Sequence, residues 1–478
     1  MKRSLLLFSI LFSFTLAEAQ NDSAWTLERC LKYAAENNIQ IKQAQLNAAI
    51  SKAYLLQSKI KLLPSINADA SYNFNFGNSV NPTTYSYVQQ NSQSATGGLS
   101  GSVPLFTGLQ QLNNIQKSKA DFEAAQQDYQ NASNNVALTL TNYFLQIIVN
   151  KELLKVAQTQ LEISEAQLER ARAQVRAGTL AEASSFEFEA QQQRDLASVV
   201  TAKNNVALAL LSLRIALQLP EKTAFDIREP AVTTDHLTDI SRISSSAIFD
   251  YAAMNQPSIR AAEARVRSAM FSLRMAKGSF SPTLAASASL RSNYFDKSSK
   301  PAGYSVTDIP IFGSAYPDNS SIVGYARNIG YAGTEPISFS DQLKNNLTKT
   351  VSISLSVPIF SGWQKMTALS VNRLNHQMRS LDLENTKNTL RQDIEKAYAN
   401  ALASSQNFSA NQKSLESAKK SFDAYDKRYA VGLANTFEVQ QSKNNLLRAE
   451  SQMIQAKYTY ILQMKVLDFY MGKPIELK

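Results

Sequence analysis

The sequence predicts a mixed fold, in which the strands of a membrane β-barrel are continued by very long coiled-coil α-helices, in two tandem structural repeats. Three observations support this prediction. Landmark residues recur at fixed spacings in the two halves of the chain, two 69-residue stretches lack both glycine and proline, and four segments alternate apolar with polar residues. We therefore expect two copies of one unit that contains both helices and strands.

The repeat consists of matching segments at two constant offsets, 218 residues for the first pairs and 254 residues for the later ones. The pairs are Tyr33–Asn37 with Tyr251–Asn255, Pro64 with Pro282, Val103–Gly108 with Val357–Gly362, and Gly178 with Gly432. The difference between the offsets indicates a 36-residue insertion between Pro282 and Pro358. We expect the first repeat at residues 20–235 and the second at residues 236–478, because self-similarity at a fixed spacing marks one structural unit.

Residues 1–19 have the pattern of a secretory signal peptide. Lys2 and Arg3 precede an apolar run from Leu5 to Leu16, and Ala17–Ala19 is a small-x-small cleavage site. The run is too short for a transmembrane helix, which needs about 20 residues. We therefore expect an exported protein.

The composition excludes several kinds of site. The chain contains one cysteine, Cys30, and two histidines, His236 and His376, which excludes an intrachain disulfide framework and argues against a Cys/His metal cluster. The formal net charge of +10 is dispersed along the predicted helices, and export argues against a nucleic-acid partner. The sequence has no phosphate-binding loop or catalytic triad, so we expect neither enzymatic activity nor a cofactor.

Two stretches without glycine or proline, Leu109–Ala177 and Trp363–Val431, predict helices about 100 Å long, at about 1.5 Å per residue. Apolar residues recur along both at every seventh position. They are Leu140, Ile147, Leu154, Leu161, Leu168 and Val175 in the first stretch, and Ile394, Ala401, Phe408, Leu415, Phe422 and Tyr429 in the second. This heptad spacing is typical of a coiled coil.

Each long helix is predicted to end at a glycine, Gly178 or Gly432, because glycine just past the last periodic residue favours a left-handed helix stop. A second helix follows each glycine, so each repeat contains a helical hairpin with a tight tip. These second helices are expected at Ala181–Leu219 and Asn435–Tyr470, and shorter helices at Leu27–Leu62 and Ala247–Lys277.

A strand pair is predicted in each repeat, at about residues 65–105 and 283–358. The expected strand–helix junctions are Pro64, Pro104, Pro282 and Pro358. A soluble β-sandwich would show the same alternation, but export and the long helices favour a membrane barrel with apolar residues toward lipid. Four strands cannot close a barrel, and open strand edges cannot face lipid, so other subunits must supply the missing strands.

The segments that join the paired strands, about Gly77–Thr96 and Asp296–Thr348, are rich in Tyr, Asn, Ser and Gly and are predicted to be loops. The second contains the insertion. Because the long loops of membrane barrels face outside, we expect these loops to cap or narrow the outer mouth.

The chain resembles the TolC family of outer-membrane efflux proteins over essentially the whole mature sequence. The resemblance is carried by Leu62–Ser65, the pair Val103–Gly108 and Val357–Gly362, the tip Tyr429–Gly432, and Glu438 with Val439. It implies a homotrimer in outer-membrane lipid, with a twelve-stranded barrel above a periplasmic helical tunnel. It also implies a passive channel of a tripartite efflux or type I secretion system, coupled through a periplasmic adaptor (a membrane fusion protein) to an inner-membrane pump of RND or ABC type.

The resemblance also assigns roles to the helix tips. Adaptor docking would involve Gly178, Thr179, Val431, Gly432 and Leu433. Members of the family often carry two acidic residues, three apart, after the second tip, and these form the periplasmic gate. Here the two positions hold Glu438 and Gln441, so we expect one acidic ring and weaker cation selectivity.

Other interpretations of the sequence predict different numbers and kinds of structural elements. A periplasmic coiled-coil adaptor, a structural protein without a pore, would also contain a long hairpin but needs a separate lipoyl-like β module. A porin would have many more strands per chain, and a surface fibre would lack the period-two strands. The sequence leaves the cargo open among drugs, metals and proteins.

Overall fold

The structure is a computed structural model that describes residues 24–80, 85–89, 91–221, 225–230, 240, 244–312 and 322–474. The predicted signal peptide and His236 lie outside the described residues.

Long helices dominate the described chain, with strands grouped in both repeats. The helices α1–α9 span Leu27–Asn37, Ile39–Ile60, Gln110–Arg176, Glu182–Leu217, Ser245–Asn255, Pro257–Gly278, Phe339–Asn345, Gln364–Ala430 and Thr436–Tyr470. The strands β1–β12 span Ala24–Trp25, Ser65–Asn75, Asn78–Val80, Tyr87–Gln89, Ser92–Phe106, Asp226–Ile227, Thr283–Phe295, Ser299–Pro301, Tyr304–Phe312, Ile322–Tyr331, Thr334–Pro336 and Thr348–Ser356.

The chain divides into two compact units, each built from both sequence repeats. One unit consists of Met1–Lys52, Ala120–Arg267 and Gln377–Lys478, and its described part is almost entirely helical. The other consists of Ala53–Lys119 and Ser268–His376 and contains the main sheet. This division follows architecture rather than repeat, so the repeat boundaries at residues 20–235 and 236–478 stay a prediction.

The main sheet has four antiparallel strands in the order β12-β7-β5-β2. Its central pair joins the two repeats, because β5 belongs to the first and β7 to the second. The outer strands β2 and β12 each pair on one side only. The four predicted strands are therefore confirmed, and within the described residues both edges of the sheet are open.

The two long helices each contain 67 residues and lack an internal break, as predicted. Each begins after two residues with positive φ, Gly108 and Leu109 for α3 and Gly362 and Trp363 for α8. The second residue of each pair is not glycine, although such a conformation costs an L-residue roughly 1–2 kcal/mol. Each repeat therefore makes the same sharp turn between its sheet and its long helix.

Each shorter helical segment is broken in two, which the sequence analysis did not predict. Asn38 separates α1 from α2, and its Oδ1 accepts a hydrogen bond from Gln40 N at 2.9 Å, so the side chain caps the second helix. Gln256 separates α5 from α6 and precedes Pro257. A residue before proline is disfavoured in the α conformation, which explains this second break.

Both predicted loops contain regular structure, which corrects the sequence analysis. The first contains the hairpin β3–β4, and the second contains the pairs β8–β11 and β9–β10 followed by α7. A further unpredicted pair joins β1 in parallel to β6. These strands are short or contain Pro310, Gly324 and Gly330, which weaken the period-two signal.

Two large apolar cores hold the helical unit together, and a smaller third one near the first tip contains Leu168, Ala171 and Phe188. One large core is formed mainly by α1, α3 and α4, and the other mainly by α5 and α8. Helix α9 contributes to both, with Ile461 in the first core and Met464 in the second. Cys30 is fully buried in the first core, and burial raises the pKa of its thiol to about 12. The thiol is therefore protonated and unreactive at neutral pH.

Among the described helices, α4 alone is long and apolar enough to cross a membrane by length and composition, with a mean hydropathy of 1.4. Only 17% of that window is buried in the single chain. The polar run Lys203–Asn205 lies in the middle of the helix. Its apolar residues thus form an exposed helix surface rather than a continuous apolar cylinder.

Candidate functional site: the sheet faces and the helix tips

The four-stranded sheet has one apolar and one polar face, which follow from its register. Residues paired across the strands share a face, as in the row Ile66, Gly101, Ala288 and Val351. The apolar face also carries Ala68, Leu99, Val103, Leu284, Ala286, Leu290, Ile353 and Leu355, and its one charged residue among these strands is Lys349, which pairs with Leu290. The polar face carries Asn67, Asp69, Ser71, Asn73, Thr96, Ser100, Ser102, Ser287, Ser289, Arg291, Ser352 and Ser354.

The apolar face has no covering layer within the described residues. Val351 is 82% exposed and Ile353 71% exposed, values usual for charged surface residues rather than for β-branched ones. Tyr72, Phe74 and Tyr294 cluster at the end of the sheet nearest the loops. An apolar band with aromatic residues at one end and a polar opposite face matches a strand set between lipid and a water-filled lumen.

The four prolines assigned to the junctions lie near the strand ends. Pro64 and Pro282 come directly before β2 and β7, and Pro358 lies between β12 and α8. Pro104 lies instead inside β5, which continues to Phe106. The register shifts between Pro104 and Phe106, so this proline occupies an irregularity of the kind that tolerates a residue without an N–H group.

The first helix tip has a Schellman turn at Gly178. Gly178 N donates to Val175 O at 2.9 Å, and Thr179 N donates to Gln174 O at 2.9 Å. A side chain at Gly178 would meet no atom within 4 Å, but its φ of +73° favours glycine. Glycine is therefore required at this tip by the backbone conformation and not by a lack of room for a side chain. Helix α4 then begins at Glu182 without a side-chain cap.

The second tip has the same turn but a stronger start to its second helix. Gly432 has a φ of +71°, and Leu433 N donates to Arg428 O at 2.8 Å. Asn435 and Glu438 then form a capping box, in which Glu438 N donates to Asn435 Oδ1 at 2.9 Å and Asn435 N donates to Glu438 Oε2 at 2.9 Å. Glu438 thus has a local structural role at the first turn of α9.

Exposed apolar side chains surround the second tip. Val431, Leu433 and Phe437 are all about 70% exposed, at 69%, 68% and 74%. Thr179 at the first tip is also exposed, and so is Gln441. The residues assigned to docking therefore lie at two solvent-accessible turns. The contacts at each tip are turns and caps within the chain itself. They do not test the docking and gate assignments, which stay predictions.

A buried ion pair, Lys443 with Asp195, connects the two hairpins near their tips. Lys443 Nζ donates to Asp195 Oδ2 at 2.8 Å and to Gln160 O at 3.1 Å, while Gln191 Nε2 donates to Asp195 Oδ1 at 2.8 Å. The side chains of Lys443 and Asp195 are only 1% and 5% exposed. Burial lowers the pKa of Lys443, and the hydrogen bond to Asp195 opposes this shift.

The interior around this pair is polar. Buried side-chain atoms without a protein hydrogen-bond partner include Gln160 Oε1, both amide atoms of Gln167 and of Gln440, and the hydroxyl of Tyr429. Most buried polar groups in proteins are paired, so a group of four such side chains is unusual. Buried polar groups of this kind usually bind ordered water.

The sequence analysis did not predict this network. Asp195 and Lys443 lie 248 residues apart, and each stands in a run of polar residues that is typical of a solvated helix surface. The only sequence signal for their proximity is the repeat, which places each residue on the second helix of a hairpin. Within the described residues, no group of three or more His, Cys, Asp and Glu side chains could hold a metal ion.

The chain is similar in sequence to a known protein family and to individual known proteins. The family model described as "Outer membrane efflux protein" matches residues 30–218 and 249–473. The chain is 22% identical to the outer membrane protein TolC of Escherichia coli over 460 residues, which cover 96% of this chain and 83% of that protein. It is 29% identical to the alkaline protease secretion protein AprF of Pseudomonas aeruginosa over 127 residues, 26% of each protein.

Solved structures with the same fold include two outer-membrane proteins. The outer membrane protein VceC of Vibrio cholerae superposes with a TM-score of 0.73 at 13% identity, over 94% of this chain and 97% of that one. The outer membrane channel CmeC of Campylobacter jejuni superposes with a TM-score of 0.70 at 17% identity, over 95% of this chain and 87% of that one.

Substitutions on the two faces of β12 test which face contacts lipid. We expect Ile353→Arg to lower the amount of folded protein in the outer membrane, because arginine on the lipid face costs roughly 2–4 kcal/mol at the bilayer midplane. Ser354→Arg, one residue away on the polar face, should leave that amount unchanged. Heat-modifiable migration of membrane fractions measures both, and an equal loss in the two variants would contradict the assignment of faces.

The buried pair predicts an asymmetric response to removal of one charge. Lys443→Met leaves Asp195 buried without its partner and should lower the opening free energy of α9 by about 3–5 kcal/mol. Lys427→Met removes an exposed pair with Asp423 and should change it by no more than about 1 kcal/mol. Amide hydrogen exchange of residues 436–450 measures the difference.

The double variant Lys443→Met with Asp195→Leu should recover most of the lost protection, because neither charge is then left unpaired. Equal effects of Lys443→Met and Lys427→Met would show that the pair does not stabilise the tip.

Proposed function

The chain belongs to the outer membrane efflux protein family, and from this premise we propose that three copies form one channel with a twelve-stranded barrel. The protein is an outer-membrane channel subunit of an efflux or secretion system, with its helical part in the periplasm. The family consists of transport channels rather than enzymes.

One observation carries the proposal for assembly. In the part of the chain that the structure describes, the four-stranded sheet has two unpaired edges and an uncovered apolar face. An edge exposed to lipid leaves backbone N–H and C=O groups without partners, at several kcal/mol for each group. Pairing β12 of one copy with β2 of the next removes both edges at once. Closure after three copies gives an even number of strands and agrees with the resemblance to the TolC family.

The channel is proposed to act as a passive conduit. The polar face of the sheet, lined by Ser, Asn and Thr with Asp69 and Arg291, would form a wet lumen. A periplasmic adaptor would dock at the exposed tip residues Thr179, Val431 and Leu433 and link the channel to an inner-membrane pump of RND or ABC type. The pump would supply the energy and select the cargo.

Assembly and docking are tested together in detergent and in cells. The purified wild-type protein should have the native mass of three chains. Leu433→Asp should keep this mass but lose complementation of a channel-deletion strain, because a charge replaces an exposed apolar side chain at the docking surface. Lys427→Met serves as a control on the same hairpin and should complement fully. A monodisperse water-soluble monomer would instead favour the periplasmic adaptor.

The gate proposal rests on Glu438 as the single acidic ring. Glu438→Gln removes three charges from the channel but can still form the capping box, because Gln as well as Glu serves at that position. We expect the cation-to-anion permeability ratio in planar bilayers to fall in this variant. Gln441→Glu adds a second ring and should raise the ratio. Identical ratios in wild type and Glu438→Gln would contradict the gate assignment.

A further inference from the structure

An open groove of about 410 Å³ lies on the apolar face of the four-stranded sheet. Its middle is formed by Gly101 and Ala288, which pair with each other on the two central strands. Larger side chains surround them, with Ile66 and Val351 at the two ends of the same row and Leu99 in the next row. The volume lies within the range of ligand sites, roughly 300–1,000 Å³. The groove therefore follows from small residues in the middle of a row whose ends are large.

The groove crosses all four strands, because its lining residues come from β2, β5, β7 and β12. Three strand spacings of about 4.8 Å make this width about 14 Å. Ile66 and Val351, at the two ends of the groove, are both exposed, and no described part of the chain covers it. The groove can therefore hold more than one hydrocarbon chain on the face assigned to lipid.

One charged side chain, Lys349, lies at the edge of the groove. Lys349 pairs with Leu290 on the apolar face and is exposed. Its side chain forms no hydrogen bond or ion pair with any residue that the structure describes. A cation on the lipid face of a barrel is costly unless an anion neutralises it. Lys349 therefore requires an anionic partner.

The neighbouring strand of the next copy offers no anion to Lys349. In the proposed barrel, β12 pairs with β2 of the next copy. The apolar face of β2 carries Ile66, Ala68, Ala70, Tyr72 and Phe74. The one acid of this strand, Asp69, lies on the opposite, polar face. A register that keeps the apolar faces together therefore brings no acid of β2 beside Lys349, which leaves the surrounding lipid as the source of the anion.

Lys349 lies in the half of the lipid face nearest the loops, which face outside in membrane barrels. It is level with Leu290, four residues before Tyr294, whose ring packs against Phe339 with 5.0 Å between the ring centroids. Four residues of a strand tilted by about 40° rise about 10 Å. Aromatic residues mark the membrane–water boundary of barrels, and a lysine stem can extend through apolar surroundings toward that boundary. The Lys349 ammonium can thus approach the phosphate groups of the outer leaflet.

We propose that the groove and Lys349 bind a phosphorylated glycolipid of the outer leaflet. Its acyl chains lie over Gly101 and Ala288, and one phosphate accepts hydrogen bonds from the Lys349 ammonium. This inference rests on the proposed barrel, in which the apolar face contacts lipid. Three copies carry three such sites, each beside a seam between β12 and the β2 of the next copy.

The chemistry of the groove favours this class of lipid. Lysine binds phosphate through its charge and its three N–H donors. The outer leaflet of an outer membrane consists of glycolipids that carry phosphate groups and several acyl chains. A lipid with several acyl chains fills a groove that crosses four strands better than a phospholipid with two.

Substitutions in both parts of the site test the binding, with native mass spectrometry of the purified channel and added lipid A as the measurement. Lys349→Gln removes the charge and should weaken binding about tenfold, whereas Lys349→Arg keeps the charge and should bind as the wild type does. Gly101→Val fills the groove and should weaken binding as well. A Cβ at Gly101 would meet its nearest atom at 3.5 Å, an ordinary contact, so we expect this variant to fold.

Two controls isolate the phosphate contact. Lys300→Gln removes another exposed lysine, which pairs with Glu335 in the second loop, and should leave binding unchanged. Lipid A without its phosphates should bind the wild type as weakly as intact lipid A binds Lys349→Gln.

The outcomes separate this inference from the proposed function. Equal binding of lipid A by the wild type and Lys349→Gln, both with the native mass of three chains, would overturn the lipid site and leave the channel proposal intact. Binding of phosphatidylglycerol at least as tight as that of lipid A would assign the groove to phospholipid and overturn the inference. A native mass of one chain would overturn the proposed function and the lipid site together.

Discussion

The open edges of a four-stranded sheet are the constraint on which the molecule depends. Strands β2 and β12 each leave one row of backbone groups unpaired, and the apolar face beside them is bare. Neither defect can be repaired within the described chain, because its helices carry their own cores. Only further copies of the same edges complete the ladder. The tandem repeat serves this end, because each repeat supplies one central and one edge strand, β5 with β2 and β7 with β12.

The helical unit is held unevenly along its length. Near the middle of α3 the buried side chains are Leu, Ile and Phe, and α9 bridges the two apolar cores. Toward the tips, buried Gln and Ser side chains and one ion pair between α4 and α9 accompany a smaller apolar cluster of Leu168, Ala171 and Phe188. Apolar burial contributes about 25 cal/mol per Å² whatever the geometry, whereas polar contacts stabilise only when they are fully paired. Apolar burial therefore contributes less to stability near the tips than at the middle, because the cluster near the tips is smaller.

The sequence predicted what repeats over long distances and missed what depends on single contacts. The heptads of α3 and α8 extend over five seven-residue intervals each, in helices of 67 residues, so no local exception could hide them. The breaks at Asn38 and Gln256 depend on one side-chain cap and one proline. The strands β9 and β10 contain Pro310, Gly324 and Gly330, which weaken any strand pattern. Lys443 and Asp195 looked like surface charges, because burial of an ion pair is set by tertiary packing.

Glu438 shows how a local and a channel-wide role can share one side chain. Its Oε2 accepts the hydrogen bond that caps α9, which fixes the carboxylate at a helix N-terminus. The helix dipole also favours an acidic residue in the first turn of a helix. The first tip lacks such a cap, because α4 begins without a side-chain hydrogen bond. An acidic residue is therefore favoured at position 438 by the helix alone. Gln441 lies beyond the cap, on an exposed part of the same helix, where no such local requirement acts. The two roles of position 438 are consequently separable, since Glu and Gln can both cap the helix but only Glu carries a charge.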